Sequence, residues 1–337
     1  MHLLLRKSLI LAVLVCIQLA LCAALADHIC PPTRFEQKLR AMERSPDPGI
    51  ELAIGGASRA YEGINPVSLP WPAYNFGDVG QSPNFTCQVL QRQLDRFSRL
   101  KKVILVMDEW SFGGSDTITA LDYVKHGYTM LDPKADIGQG ETWVPLEWQA
   151  RWPILRYRRQ FLGMALGFIM GRANRHQTPV YDAVAPPDPG EECILAKSGF
   201  NYTPLRSPDL SEKAGQERVA HRLLGYTPEL RETNFAIYRA FLEGALKRGA
   251  QVAIVLPPLH ASYRKYADKK MSDEFGADLT RLRQLFPAPQ VAVLSYTDTD
   301  FPVDEYQDTD HLNGKGATHF GQILTHDLMR LWGKPQP

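Results

Sequence analysis

The sequence predicts an α/β protein with a doubly wound, mostly parallel sheet and a large insertion after the third strand. Two observations predict this class: short apolar runs of strand length, and amphipathic helical segments that separate them. Strands that alternate with helices are typical of parallel sheets covered by helices on both faces. The length of 337 residues fits one such unit with an insertion.

Five strands and five helices are expected along the chain. The strands are expected at 50–54, 73–77, 103–107, 252–256 and 291–296. The helices are expected at 34–44, 87–97, 233–249, 277–286 and about 316–332. The third strand, "VILVM", is apolar throughout, as expected of a buried parallel strand. Thr233 is expected to cap its helix at the N-terminus, and Gly249 occupies the expected C-terminal stop.

The alternation breaks between the third strand and the helix at 233, over about 120 residues, far more than a usual α/β connection. We therefore expect an α/β domain formed by 27–110 and 233–337, with 111–232 as an inserted helical or irregular region. Its apolar run at 161–171 is too short to span a bilayer. A buried helix is the expected structure, and a lid or interfacial helix beside a membrane is the alternative.

The N-terminal segment 1–26 has the features of an export signal. Arg6 and Lys7 precede an uncharged run at 8–26 that ends in small residues before Asp27. This pattern is typical of a cleaved secretory signal peptide. The run is also close to the roughly 20 apolar residues that a transmembrane helix needs, so a retained membrane anchor is the alternative. Both alternatives predict an exported, periplasmic or extracytoplasmic protein.

Composition excludes some partners. The net charge of +1 argues against nucleic-acid binding, which normally requires a basic excess. Beyond the N-terminal segment the cysteines are Cys30, Cys87 and Cys193, which permit one disulfide and one thiol; their spacing does not select the pair. No Cys or His spacing is typical of a metal site, so no metal and no cofactor are expected.

Distinctive residues follow the first three strands. In a doubly wound sheet, active residues gather beyond the carboxyl ends of the strands. Ser58 follows the first strand in "GGAS", and Gly80 follows the second in "NFGDVGQS". Asp108 and Glu109 follow the third in "MDEW". These residues are expected to share one edge of the sheet.

A nucleophilic serine needs a base, and the base needs an orienting carboxylate. The segment "YQDTDHLNGKGATHF" supplies both, because Asp308 stands three residues before His311, ahead of the last helix. A hydrogen bond between them would fix the tautomer that leaves Nε2 free to act as base. Taken singly, Ser58 is also explained as a turn residue, and Asp308 and His311 as loop residues.

The blocks "GGASRAYEGINP" and "DTDHLNGKGATHF", with the glycine block between them, resemble the SGNH (GDSL-type) hydrolase superfamily. They are especially similar to its exported, N-terminally anchored envelope branch, which includes relatives of alginate O-acetyltransferases and of the D-alanine-transfer protein of teichoic acid synthesis. The resemblance covers roughly 45–110 and 233–332. The alternative G-x-S-x-A pattern of α/β-hydrolases normally follows several strands, whereas Ser58 follows the first.

The resemblance implies a role for each matching residue. Ser58 matches the nucleophile, His311 the base and Asp308 its orienting acid, and the Gly80 amide joins that of Ser58 in the oxyanion hole. The family places an asparagine donor after the third strand, where this chain has Asp108 and Glu109. An ionised carboxylate cannot donate a hydrogen bond. The oxyanion hole is therefore incomplete, or completed by Arg59 or by a residue of the insertion.

The expected function is that of an exported serine O-acyl esterase or acyltransferase acting on an envelope or secreted polysaccharide. Its expected partners are the polysaccharide or an acylated small molecule, with a membrane-bound acyl donor and membrane attachment through 8–26 as further possibilities. The alternative is a non-catalytic protein that uses the same scaffold to bind a glycan or an assembly partner. The absence of the asparagine donor and the tryptophan-rich insertion favour that alternative.

Overall fold

The computed structural model describes residues 49–114, 198–200 and 207–335, with a few single positions nearer the N-terminus. These three ranges belong to one compact unit, which comprises Arg40–Thr117 and Pro187–Pro337. The predictions made for 1–26, the helix at 34–44, Cys30, Cys193 and the apolar run at 161–171 fall outside the described ranges. Within those ranges, Cys87 is a buried free thiol.

The sheet has five strands, all parallel. They are β1 (Leu52–Gly55), β2 (Ala73–Asn75), β3 (Lys102–Val106), β4 (Gln251–Leu256) and β5 (Val291–Ser295). The order across the sheet is β2-β1-β3-β4-β5. The chain passes from β1 to β2 on one side and then to β3 on the other, and ligands of doubly wound sheets bind at such a switch point. The predicted fold class is confirmed.

Seven helices accompany the sheet in the described part of the chain. They are α1 (Ser58–Tyr61), α2 (Pro83–Arg96), α3 (Glu212–Leu224), α4 (Arg231–Lys247), α5 (Ala261–Tyr266), α6 (Lys269–Leu285) and α7 (Gly314–Trp332). None of the described helices is both long and apolar enough to cross a bilayer. Each of the five predicted strands is present, with its ends shifted by no more than about two residues.

The two faces of the sheet are covered by different helices. Leu52 and Ile54 of β1 belong to one core cluster with Phe320 and Leu324 of α7. The intervening side chains of the strand point to the other face, because successive residues of a strand alternate. On that face α2 packs against β1 and against α4. This three-layer arrangement leaves the carboxyl edge of the strands open for a site.

Two helix boundaries test the capping predictions. The prediction that Thr233 caps α4 is wrong, because the helix begins at Arg231, directly after a 3-10 turn at Pro228–Leu230. Thr233 therefore lies inside its first turn. The predicted stop is confirmed: α4 ends at Lys247, and Gly249 has a φ of +71°, a conformation that favours glycine.

Glycines bring Ser58 close to the sheet. A Cβ at Gly55 would lie 2.6 Å from Leu90 Cδ1, and a Cβ at Gly56 would lie 2.8 Å from the Val106 carbonyl oxygen. Gly56 also has a φ of +144°, which other residues rarely adopt. The chain can therefore turn directly from β1 into α1, which places Ser58 at the carboxyl edge.

Candidate active site

Ser58 and His311 meet at the carboxyl edge of the sheet, although they are 253 positions apart in the chain. The Ser58 Oγ lies 2.7 Å from the His311 Nε2. Both residues are buried, with 8% and 5% of their surfaces exposed. A hydroxyl at this distance can donate its proton to a neutral imidazole nitrogen.

The segment that carries His311 is held by Asn313. The Asn313 side chain accepts from the backbone N–H groups of Lys315 and Gly316 at the start of α7. Its amide nitrogen donates to the carbonyl oxygens of Asp304 and Tyr306. Asn313 is fully buried, so these bonds fix the loop before α7. His311 therefore stands on a segment that Asn313 fixes directly ahead of α7.

Two carboxylates face the other nitrogen of the imidazole. The His311 Nδ1 lies 3.0 Å from Asp308 Oδ1 and 3.1 Å from Asp310 Oδ1. Asp308, the predicted orienting acid, is about one-third exposed, whereas Asp310 is fully buried. Arg218 Nη2 also lies 3.1 Å from Nδ1, but the two carboxylates only accept hydrogen bonds and therefore favour a proton on Nδ1, which leaves Nε2 facing Ser58. Asp310 is a second acid that the sequence did not single out for this role.

Asp310 is surrounded by three arginines. Its oxygens accept from Arg218 Nε at 2.6 Å, from Arg222 Nη2 at 2.6 Å and from Arg59 Nη2 at 3.0 Å. Burial alone would raise the pKa of Asp310, but His311, Arg222 and Arg59 outweigh it and hold that pKa well below its ordinary value. The carboxylate is therefore ionised at neutral pH.

Arg218 and Arg222 were missed by the sequence analysis, which left them in the range 111–232. They lie four positions apart on α3, so both point from one face of the helix. That spacing was the signal available in the sequence. In the structure α3 packs against α5, and the face that carries both arginines is turned toward Asp310. Without knowledge of where α3 packs, two arginines at this spacing also fit an exposed helix.

The predicted site residues Arg59, Asp108 and Glu109 form an ion-pair cluster in which Arg59 is buried and both acids are largely buried. The Arg59 Nη1 lies 3.3 Å from Asp108 Oδ2 and 3.1 Å from Glu109 Oε2. The Tyr263 hydroxyl donates to Glu109, and the Arg59 guanidinium lies over the Tyr263 ring at 5.3 Å. Burial alone would raise the pKa of Glu109, but Arg59 and the Tyr263 hydrogen bond lower it below its ordinary value.

The loop after β2, which contains Gly80, runs beside the turn that leads to Ser58. The Asp78 N–H donates to the Gly56 carbonyl oxygen at 3.3 Å. Gly80 lies two residues further on with a φ of +65°. That left-handed conformation favours glycine and reverses the direction of the backbone near this edge. The second strand block thus lies next to the serine block, as the sequence predicted.

The charged side chains around His311 raise the pKa of its imidazole. Four carboxylates (Asp108, Glu109, Asp308 and Asp310) face three guanidiniums (Arg59, Arg218 and Arg222), which leaves one negative charge. Burial lowers the pKa of His311, but Asp310 and Asp308 more than compensate and raise it from 6.5 to about 9. The imidazole is therefore mainly protonated at neutral pH.

This state can be measured by NMR titration of the histidine ring protons. His311 is expected to titrate with a pKa of about 9, whereas the pKa of His260 is lowered, by burial and by Arg264. Asp308→Asn should reduce the pKa of His311 and leave that of His260 unchanged. A His311 pKa at or below 6.5 in the wild type would contradict the charge balance.

The raised pKa of His311 also makes the free energy of unfolding depend on pH. A pKa that is higher in the folded state means that the folded protein binds the proton more tightly. The resulting stabilisation is complete below the ordinary histidine pKa of about 6.5 and is lost as pH rises through about 9.

Asp308, Asp310 and His311 are the group in the described residues whose ligand atoms could hold a metal ion, since these atoms all lie within 4.8 Å of one another. Their carboxylates already contact Arg218, Arg222 and Arg59. Three guanidiniums at this distance oppose a further cation. The arrangement fits a hydrogen-bonded Ser–His–Asp system better than a metal centre.

Comparisons with known proteins assign no family to this chain. No family model matches it, and no curated protein matches it. One similar solved structure is that of a carbohydrate acetylesterase family member from Sinorhizobium meliloti, at 11% sequence identity and a TM-score of 0.31. The similarity covers 84% of this chain and 100% of that chain. A TM-score this low supports no inference about fold or activity.

Proposed function

We propose that this protein is a serine O-acyl esterase or acyltransferase of the SGNH type. The observation that carries the proposal is the distance of 2.7 Å between Ser58 Oγ and His311 Nε2, with the carboxylates of Asp308 and Asp310 on His311 Nδ1. Nucleophile, base and orienting acid are the parts that acyl transfer through serine requires. Ser58 follows the first strand, whereas the α/β-hydrolase nucleophile normally follows several strands, and Asp308 stands only three residues before His311. Both features support the SGNH type over the α/β-hydrolase type.

The proposed mechanism begins with neutral His311. Its Nε2 takes the Ser58 proton while Oγ forms a bond to the ester carbonyl carbon, and the imidazolium is stabilised by Asp308 and Asp310. The carbon–oxygen bond to the alcohol then breaks, and the alcohol oxygen receives the proton from Nε2. Water or a sugar hydroxyl takes the acyl group from Ser58 by the same steps in reverse.

The raised pKa of His311 sets the pH dependence of this mechanism. Only the neutral imidazole can accept the serine proton, so the reactive fraction grows about tenfold per pH unit below the pKa of about 9. The rate of ester cleavage should therefore rise from neutral toward alkaline pH.

We also propose that the protein is exported and that its substrate is an envelope or secreted polysaccharide. The exported character rests on the N-terminal run at 8–26, and the polysaccharide substrate rests on the resemblance of the two sequence blocks to envelope acyltransferases. The acyl donor partner in the membrane is proposed on the same basis. A protein that only binds glycans is the alternative, favoured by the carboxylates that stand where the family has an asparagine donor.

Labelling with a fluorophosphonate tests the proposed nucleophile. Wild-type protein is expected to form an adduct on Ser58, and His311→Gln to label at least about 100-fold more slowly, because general-base catalysis typically contributes 10²–10⁴-fold. Ser262 is the matched internal control: it is buried and its Oγ lies 2.8 Å from His260 Nδ1, yet within the described residues no carboxylate forms an ion pair with His260. An unlabelled wild type would refute catalysis and favour the binding protein.

A further inference from the structure

A small cavity lies beside the turn that leads from β1 to Ser58. Gly56 and Ala57 form one part of its wall, Asp108 and Arg59 another, and Gln81 a third. Its volume is about 20 Å³. A cavity of this size holds roughly one water molecule. The cavity therefore fits a single oxygen atom or a group of similar size.

Gln81 brings a buried amide without partners to this cavity. The residue is 8% exposed, and neither its Nε2 nor its Oε1 has a hydrogen-bond partner in the described part of the chain. A buried polar group without a partner costs about 1–3 kcal/mol, so such a group beside a cavity indicates a bound water, an ion or a ligand. Gln81 directly follows Gly80, in the loop that passes Gly56.

The other polar side chains around the cavity have fewer unengaged donor hydrogens than Gln81. Asp108 is a carboxylate that already accepts from the Trp110 N–H and pairs with Arg59. Both terminal nitrogens of Arg59 are engaged by carboxylates, which leaves its Nε without a partner. Arg59 Nε and the Trp110 indole N–H, which also lacks a partner in the described part of the chain, are thus further donors on the cavity wall. Each offers one hydrogen, whereas the side-chain amide of Gln81 offers two.

We propose that Gln81 binds the carbonyl oxygen of the acyl substrate and replaces the missing asparagine donor. This inference rests on the proposed function. When Ser58 Oγ bonds to the carbonyl carbon, the electron pair of the C=O bond moves to the oxygen, and the Gln81 Nε2–H donates to that oxyanion. When the bond to the alcohol breaks, the pair returns to the carbonyl, and Gln81 keeps its proton throughout.

The test compares two nearly isosteric variants, Gln81→Met and Gln81→Glu. Loss of one oxyanion donor typically lowers kcat 10²–10³-fold. Gln81→Met should therefore lower the maximal rate of fluorophosphonate labelling and kcat for short p-nitrophenyl esters at least 100-fold, with KM changed less than threefold. Gln81→Glu should lose at least as much, because a carboxylate repels the oxyanion.

Gln93→Met is the matched control. Gln93 lies on α2 and, like Gln81, is buried. Its Oε1 also lacks a partner in the described part of the chain, but Gln93 does not line the cavity. This variant should react within twofold of the wild type. Thermal unfolding of all three variants identifies any that fails to fold. If one Gln81 variant is unfolded, the rate of the other Gln81 variant tests the role of the side chain.

The outcomes separate this inference from the proposed function. If Ser58 is labelled in the wild type and a folded Gln81 variant reacts within threefold of it, the role of Gln81 is refuted and the nucleophile stands. A large rise in KM at unchanged kcat would also refute the role, because an oxyanion donor acts in the transition state. If wild-type Ser58 is not labelled, both proposals fail together.

Discussion

Replacing Ser58 with alanine is expected to lower kcat for ester cleavage roughly 10⁶-fold, as loss of a serine nucleophile does in triad enzymes. The substitution removes the oxygen that forms the covalent bond, while His311 keeps its contacts with Asp308 and Asp310. The fold should persist, because serine and alanine differ by one oxygen atom and α1 remains packed against β1. Steady-state hydrolysis of p-nitrophenyl esters and an unfolding curve measure both effects.

Ser262→Ala is the control for this variant. It removes a buried serine on α5 that also contacts a histidine, but that histidine is His260 and not His311. Its kcat should stay within twofold of the wild type. Activity of Ser58→Ala within tenfold of the wild type would show that the serine is not the nucleophile, whatever the geometry around it.

Asp310→Asn is expected to lower the free energy of unfolding by about 3–5 kcal/mol, the usual effect of breaking a buried ion pair by removing one partner. The carboxylate is fully buried and serves three guanidiniums at 2.6 to 3.0 Å. Asparagine keeps the shape of the side chain but removes its negative charge. Arg59, the most buried of the three arginines, then has one carboxylate fewer to balance its positive charge. Urea denaturation at neutral pH measures the change.

The pH dependence of this stabilisation has a definite sign. The pKa of Asp310 is lower in the folded protein, so its contribution is present above the ordinary aspartate pKa of about 3.9 and is lost as pH falls below it. Asp310→Asn should therefore flatten the acid limb of the stability curve.

Asp273→Asn is the matched control, since it breaks the exposed pair with Lys269 on α6. Exposed pairs at this helical spacing contribute about 0.3–0.5 kcal/mol, so a small change is expected. A change below 1 kcal/mol for Asp310→Asn at neutral pH would show that the arginines are compensated in another way.

The strand and helix pattern was readable from the sequence because each element carries its own periodicity. The five strands are nearly continuous apolar runs, as buried parallel strands must be, and α7 repeats apolar residues at helical spacing. The start of α4 was misjudged because a preceding 3-10 turn continues into the helix, a matter of local geometry that Thr233 does not reveal.

The fold class could be predicted from the amino-acid sequence alone. The same was true of the common position of Ser58, Gly80 and Asp108, because the carboxyl ends of parallel strands lie at one edge of the sheet. The sequence also indicated Asp308 and His311 as a pair. The three-dimensional structure was needed to show that His311 contacts Ser58, that Asp310 is a second acid, that Arg218 and Arg222 contact Asp310, and that Gln81 lines the cavity beside the turn before Ser58. The reason is physical: contacts between distant segments depend on how helices such as α3 pack, and charge, burial and unpaired amides acquire meaning only once the neighbours are in place.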